Sequence, residues 1–229
     1  MSENENDSDS GETALVKARQ QSLSVAGDHV LSFFVLDGSG SMGPFRKDLQ
    51  EETQHHLDTL RSHMSSRSFS LGIAAFNTNA WMVQPIAPVA QLKSVPFIDP
   101  DGGTHLYATV AEVLPQLREV VAQLRQTGVK ASVALMVLTD GQDSKSSPKE
   151  LGELREQVSI SMKEGILPIL VGFGVDAKEI AKTMGFPEAY AYSVARTRAG
   201  MTTAMRATTH ITMTMTYEDV DRLTRTPKK

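Results

Sequence analysis

The chain has 229 residues, a formal net charge of −4 at pH 7 and no cysteine. The lack of cysteine excludes disulfide frameworks, thiol catalysis and thiolate metal sites, and the mildly acidic balance argues against a nucleic-acid partner. The sequence has no apolar run of membrane-spanning length and no long basic cluster, so we expect no membrane association. Its polar, acidic start does not resemble a secretion signal, so we expect a cytoplasmic protein.

The length suits one domain with a well-buried core and short tails. We predict a disordered acidic tail over 1–12, because this segment is too polar to repay the entropy of ordering. A single domain should follow over 13–225, with a frayed basic tail over 226–229. Residues 13–27 are compatible with either a short helix or a strand.

Buried strands and amphipathic helices alternate through the first half of the chain. Apolar runs bounded by turn residues indicate strands, and apolar residues at helical spacing indicate helices. The predicted elements are a strand over 31–36, a helix from 44 to about 65, a strand over 69–76, a turn over 77–79 and a short antiparallel edge strand over 80–83. The prolines between 85 and 100 argue against a long regular element there.

The second half continues the alternation. We predict a helix over 106–124 that Pro115 should kink or interrupt, a strand over 133–138, a helix that begins at the capping box 147–150 and ends at Gly165, a strand over 166–171, a helix over 176–184, a strand over 190–194 and a helix from 197 to about 209. The boundary within 211–216 stays open. This alternation predicts an α/β fold with a Rossmann-like, doubly wound, mainly parallel sheet and helices on both faces.

Oxygen-bearing side chains follow the predicted strands. Ligands of such sheets bind beyond the carboxyl ends of the strands, where the chain direction reverses. Two neighbouring strands and a glycine-rich loop would bring five side chains together there: Asp37, Ser39, Ser41, Thr104 and Asp140. Carboxylates and hydroxyls are hard ligands that suit Mg²⁺, with Mn²⁺ as the alternative, and do not suit zinc. With two carboxylates at most, the ion would recruit an anionic oxygen from a partner.

These residues stand in three motifs, DGSGS at 37–41, GGT at 102–104 and TDG at 139–141. Together they resemble the metal-ion-dependent adhesion site of the von Willebrand factor A domain, written Asp-x-Ser-x-Ser, then Thr, then Asp. The resemblance covers roughly residues 30–209 and matches every motif position. It implies a complete metal site with direct or water-mediated binding by the two aspartates, and the candidate partner contacts beside it are Gly38, Gly40, Gly103, His105 and Gly141.

The details are similar to the intracellular and bacterial members of that family: there is no cysteine, the connections are short, and residues 102–107 read Gly-Gly-Thr-His-Leu-Tyr. The resemblance implies a non-catalytic, Mg²⁺-dependent interaction module in which a partner's Asp or Glu completes the metal shell. Such modules commonly serve as assembly or regulatory subunits, beside AAA+ ATPases or within kinase–phosphatase signalling sets.

A metal-assisted hydrolase or phosphoryl-transfer enzyme on the same sheet is the alternative. It would need a nucleophile, a general base or a carboxylate-rich pair of metals. The phosphate-binding pattern G-x-x-x-x-G-K-[ST] is absent, and a phosphoacceptor site would place paired acids where Asp37 stands alone. A third hypothesis is that the metal site is vestigial and that a partner binds the Trp81 edge or the C-terminal segment.

Several other residues receive structural interpretations. We interpret three histidines of the first helix as surface residues, His55, His56 and His63, and His105 as facing solvent. We interpret Asp101 and Asp143 as loop carboxylates near the site, and Trp81 and Met82 as packing residues at the sheet edge. The late methionines are interpreted as core residues: Met201, Met205, Met213 and Met215.

Overall fold

The computed structural model of the protein describes residues 28–64, 67–141 and 143–225. The predicted tails over 1–12 and 226–229, and the unassigned segment 13–27, lie outside the described residues. None of the helices in the described ranges combines the length and the apolar character needed to cross a lipid bilayer.

Six strands form one sheet in the order β3-β2-β1-β4-β5-β6. They are β1 (Asp28–Asp37), β2 (Ser68–Phe76), β3 (Ala80–Pro88), β4 (Lys130–Thr139), β5 (Ile166–Phe173) and β6 (Ala191–Val194). Among the strands of the described residues, only β3 runs antiparallel to its neighbour. The predicted mainly parallel sheet with one antiparallel edge strand is therefore confirmed. In β1 and β4 every residue after the first is buried, as expected for central strands that are covered on both faces.

Helices cover both faces of the sheet, as predicted. They are α1 (Arg46–Ser62), α2 (Leu106–Gln126), α3 (Pro148–Lys163), α4 (Ala177–Met184), α5 (Arg198–Thr214) and α6 (Tyr217–Arg225). The apolar side chains of α2, α3 and α4 pack on one face, and those of α1 and α5 pack on the other. A 3₁₀ turn over Gly40–Phe45 connects β1 to α1.

Two proline effects differ from expectation. The edge strand β3 extends to Pro88, past its predicted end at 83, because an edge strand has a free side on which a missing N–H costs little. The pairing of β3 with β2 shifts register twice, between Leu71 and Ile73 and between Ile73 and Ala74. Helix α2 continues through Pro115, so of the predicted kink or interruption the interruption was wrong. Buried side chains on both sides of the proline, Leu114 and Leu117, hold the helix against the sheet.

The C-terminal part also differs in length. Helix α5 runs to Thr214 instead of about 209, and α6 was not predicted. The sequence of α6, YEDVDRLTR, contains few apolar residues, so its helical periodicity is short. The late methionines do pack in the core as interpreted: Met201, Met205 and Met215 are buried and Met213 is partly buried. Trp81 and Met82 are partly buried against the sheet.

The interpretation of His56 as a surface residue was wrong, because the side chain is fully buried between β1, α1 and α5. The Thr209 hydroxyl donates to the Met205 carbonyl, so it accepts from Nδ1 of His56 at 2.8 Å. The Ser32 hydroxyl then donates to Nε2 at 2.9 Å. Burial lowers the pKa of His56 to about 3, so the ring is neutral. Both ring nitrogens are satisfied, and the imidazole connects the three elements.

Candidate metal and partner-binding site

The predicted site lies where the strand order reverses. Strand β1 is the centre of the sheet: the chain continues to β2 on one side, and β4 lies on the other side and leads on to β5. Asp37 is the last residue of β1, and Asp140 follows directly after the last residue of the parallel neighbour β4. Both carboxylates therefore lie at the same edge of the sheet, where α/β sheets bind ligands.

Asp37 is a fully buried carboxylate at the base of the site. Its Oδ1 accepts the Ser39 backbone N–H at 2.9 Å, and its Oδ2 accepts the Thr139 hydroxyl at 2.7 Å. Burial raises the pKa of Asp37, hydrogen bonds from Ser39 and Thr139 oppose that rise, and the nearby Asp140 carboxylate adds to it. Within the described residues no lysine or arginine pairs with Asp37, so a bound cation would compensate a buried negative charge.

A chain of hydroxyls leads from Asp37 toward solvent. The hydroxyls of Ser39 and Ser41 are 3.0 Å apart, and the Ser41 hydroxyl donates to Oδ1 of Asp140 at 2.8 Å. Ser39 is buried and Ser41 is exposed, so this chain runs from the interior to the surface. The other oxygen of Asp140, Oδ2, accepts from Arg196 at 2.6 Å.

The glycine-rich loop is hydrogen-bonded directly to the loop after β1. The Gly40 N–H donates to the Gly102 carbonyl at 3.2 Å, and the Asp101 N–H donates to the Gly38 carbonyl at 2.8 Å. Gly102 has φ of +72°, a conformation that favours glycine. Thr104 then lies buried on this loop with its N–H and carbonyl bonded, and no hydrogen-bond partner of its hydroxyl occurs in the described part of the chain.

The loop after β4 closes the arrangement. Thr104 accepts the Ser144 N–H at its carbonyl, 3.0 Å away, and the Asp143 carboxylate accepts the Tyr107 N–H at 2.8 Å. Burial alone would raise the pKa of Asp143, but hydrogen bonds from Ser146, Tyr107 and Lys145 outweigh it and the pKa is lowered. Asp143 is thus a loop carboxylate with a structural role. Each of the three loops is hydrogen-bonded to the other two.

The structure therefore brings the five predicted ligand residues to one edge of the sheet. Four are linked in a chain: Asp37 accepts the Ser39 backbone N–H, and hydroxyl hydrogen bonds join Ser39 to Ser41 and Ser41 to Asp140. Thr104 is held there by the backbone of its loop. Among the described residues there is no group of three or more His, Cys, Asp and Glu side chains that could hold a metal. A set of two carboxylates and three hydroxyls fits Mg²⁺, which takes oxygen ligands and keeps several waters.

The candidate partner contacts differ in accessibility. Gly40 is exposed, and Gly103 and Gly141 are partly exposed. Gly38 is buried, and a Cβ there would lie 3.0 Å from the Trp81 ring, so its role as a partner contact stays a prediction. The His105 side chain is partly buried, and its Nε2 lies 3.3 Å from Oε1 of Glu150 in α3. It therefore does not face solvent as interpreted.

Two residues of the site were missed in the sequence. Thr139 stands inside the TDG motif, but its hydrogen bond to Asp37 depends on the pairing of β1 with β4. Arg196 lies 56 positions from Asp140 in the connection between β6 and α5, and carries no motif that could have identified it.

A doubly wound sheet with hydroxyl-rich loops at its reversal point defines an α/β domain with a candidate cation site. The sequence matches the model of the von Willebrand factor type A domain over residues 33–206, more than half of the chain. The chain belongs to this family, as the resemblance predicts. The completeness of the metal site and the likeness to intracellular and bacterial members stay predictions. No curated protein matches the sequence.

Solved structures share the fold. The chain is similar to the pilus adhesin SpaC from Lactobacillus rhamnosus GG, with 12% identity, a TM-score of 0.60 and coverage of 81% of this chain and 30% of the adhesin. The chain is also similar to proximal thread matrix protein 1 from the mussel byssus, with 14% identity, a TM-score of 0.53 and coverage of 81% of this chain and 46% of that protein. For the SpRpn10 VWA domain the identity is 7% and the TM-score is 0.51, with coverage of 77% of this chain and 94% of that domain. The chain spans less than half of the first two proteins, and identities this low show the fold alone.

Proposed function

We propose that this protein is a non-catalytic, Mg²⁺-dependent interaction module, with Mn²⁺ as the alternative ion, in which an Asp or Glu carboxylate of a protein partner completes the metal shell. The family to which the chain belongs is one of protein-interaction domains. The metal, its ligands Asp37, Ser39, Ser41, Thr104 and Asp140, and the acidic partner are the proposal's own content. A role as an assembly or regulatory subunit beside an AAA+ ATPase or in a kinase–phosphatase set, and a cytoplasmic location, stay predictions.

One observation carries the proposal: three loops that are hydrogen-bonded in pairs hold two carboxylates and three hydroxyls at one edge of the sheet. Asp37 is fully buried without a described cationic partner. Burial of an uncompensated charge is costly, and a divalent cation would relieve that cost. Exposed Ser41 and Gly40 lie at the surface side of the group, where a partner oxygen could reach the ion.

The contacts of the carboxylates support a binding role over catalysis. In the described structure, Asp37 contacts Ser39 and Thr139, and Asp140 contacts Ser41 and Arg196. These contacts include no histidine or lysine that could act as a general base or activate a nucleophile. Turnover of a generic phosphate ester that persists through repurification and disappears in Asp37→Asn would instead support the hydrolase alternative.

The metal is tested by calorimetric titration of the protein with MnCl₂ and MgCl₂. We expect one site, and we expect Ser39→Ala to weaken it at least tenfold because a ligand is lost. The control is Ser62→Ala, which removes an exposed hydroxyl that bonds within α1 to the Thr59 carbonyl. Its metal affinity should equal that of the unaltered protein. Lack of binding at millimolar metal would contradict the proposal.

The partner requirement is tested by affinity capture with Mg²⁺ and with EDTA. A partner retained only with Mg²⁺ should be lost in Asp37→Ala, whose fold is checked by circular dichroism. Asp58→Ala is the matched control, since Asp58 is an exposed acid on α1 that pairs with Arg61. Equal capture by the unaltered protein and by Asp37→Ala would count against a metal-dependent contact.

A further inference from the structure

Arg196 places a positive charge against a proposed metal ligand. Its Nη2 donates to Oδ2 of Asp140 at 2.6 Å and to the Ser41 carbonyl at 2.7 Å. The guanidinium carbon lies 5.7 Å from the centre of the Phe45 ring, a cation–π contact. The side chain thus crosses from the β6–α5 connection to two of the three site loops.

The base of this side chain is held in place at the end of β5. Gly174 has φ of +80°, and a Cβ at this position would lie 2.8 Å from the Cβ of Arg196. The Gly174 N–H also donates to the Val194 carbonyl at 2.8 Å. The close approach made possible by this glycine sets the backbone of Arg196 beside the site, from where its side chain reaches Asp140.

Both oxygens of Asp140 are already occupied. Oδ1 accepts from Ser41 and Oδ2 accepts from Arg196. A hydroxyl can bind a metal through its oxygen and still donate its proton, so Ser41 can serve both purposes. A guanidinium has no lone pair and cannot bind a metal. Arg196 must therefore leave Asp140 when this carboxylate binds the metal directly, or stay as a like charge next to the ion.

The charges also indicate that Arg196 opposes binding of a cation at Asp140. The five ligand residues carry two negative charges, and Arg196 reduces that total by one. The Asp140 side chain is 2% exposed whereas the Arg196 side chain is 43% exposed, so the acid is fixed and the arginine can turn into solvent. We propose that Arg196 competes with the metal for Asp140, lowering the metal affinity, and that metal binding weakens or breaks this ion pair. This inference rests on the proposed metal site.

The test compares MnCl₂ titrations of the unaltered protein and Arg196→Gln. A unit charge held against a ligand of a divalent ion would repel the ion enough, even at the dielectric constant of water, to change affinity by about tenfold. We expect Arg196→Gln to bind Mn²⁺ about tenfold more tightly. Arg196→Lys, which keeps the charge but loses the fork geometry, should lie closer to the unaltered protein.

Arg198→Gln is the matched control. It removes the same charge two positions away, but Arg198 is 69% exposed and pairs with Asp48 and Glu51 of α1 instead of Asp140. Its Mn²⁺ affinity should change less than about twofold, because exposed charges are screened. A thermal melt in EDTA adds a second measurement: Arg196→Gln should melt below the unaltered protein, and saturating Mn²⁺ should raise its midpoint by the larger amount.

The outcomes separate this inference from the proposed function. Tighter binding by Arg196→Gln, with Arg198→Gln unchanged, supports competition. Equal or weaker binding by Arg196→Gln overturns the competition and leaves the metal site intact. Absence of Mn²⁺ binding in both proteins overturns the metal site and the inference together.

Discussion

Two polar regions lie against the same apolar sheet and differ in how completely their groups are satisfied. The buried link between Ser32, His56 and Thr209 uses both ring nitrogens of the histidine. At the carboxyl edge, by contrast, Asp37 is buried without a described cation and the Thr104 hydroxyl has no described partner. A closed set of hydrogen bonds stabilises the fold, whereas a buried carboxylate without a described cation and a hydroxyl without a described partner indicate a place for something else to bind.

The difference also separates what each region contributes. Ser32 lies five residues before Asp37 on β1, about 16 Å away at the usual rise of a strand. Regions this far apart without shared partners contribute to stability independently. The histidine link should therefore control the free energy of unfolding, and the edge should control metal affinity.

The largest effect is expected for His56→Ala. This change leaves a cavity, removes the partner of the Ser32 hydroxyl and removes one of the two partners of the Thr209 hydroxyl. We therefore expect a loss of about 4 kcal/mol in the free energy of unfolding. The measurement is urea denaturation. His55→Ala, at the exposed neighbouring position, should change stability by less than about 0.5 kcal/mol. Similar losses of unfolding free energy in the two variants would contradict the structural role of the His56 hydrogen bonds.

The pH dependence of stability should report the same buried histidine. Burial lowers the pKa of His56 to about 3, below the unfolded value of 6.5. Between these values the unfolded chain binds the proton and the native protein does not, so stability is full above pH 6.5 and falls as the pH drops toward 3. From about pH 7 to about pH 5 this contributes a loss of about 2 kcal/mol.

His56→Gln removes that contribution and keeps a side chain able to form hydrogen bonds. The difference between the unaltered protein and His56→Gln in the slope of unfolding free energy against pH isolates this residue. Burial also lowers the pKa of His29, to about 4, and that contribution remains in both proteins. Parallel slopes would mean that His56 is not the neutral ring that its contacts indicate.

At the edge, Thr139→Val should have a smaller effect on folding. Valine preserves the shape but removes the hydroxyl that donates to Asp37. In EDTA we expect a loss of about 1.5 kcal/mol, the usual value for a hydrogen bond to a charged group. Added Mg²⁺ should restore part of the lost stability, because the bound ion then stabilises the Asp37 carboxylate. A full loss that Mg²⁺ does not reduce would mean that Thr139 acts only in folding.

The fold was largely predictable because its signals are local. Apolar runs such as 133–138 end in turn residues, and the capping box at 147–150 forms as predicted. Errors occurred where tertiary contacts outweigh local preference: Pro115 is tolerated because α2 is held by buried neighbours, and His56 is buried because Ser32 and Thr209 offer it partners. No local pattern contains that information.

The site divides in the same way. Its five proposed ligands stand at motif spacing, so the amino-acid sequence was enough to name them. Thr139 and Arg196 could not be assigned, because their contacts depend on strand pairing and on a connection far away in the sequence. The position of Gly38 beneath the Trp81 ring could not be predicted either, because only the tertiary fold brings the two residues together.

The smallest effect is also the one that best tests whether the two regions are independent. At about ten times its dissociation constant, Mg²⁺ should raise the free energy of unfolding by about 1.4 kcal/mol, as expected for a ligand that binds only the native state. Urea denaturation of His56→Gln with and without Mg²⁺ should give the same increment within about 0.5 kcal/mol, since additivity holds for distant sites. Ser39→Ala should lose the increment. An increment that changes in His56→Gln would mean that the link through α5 and the metal edge act as one unit.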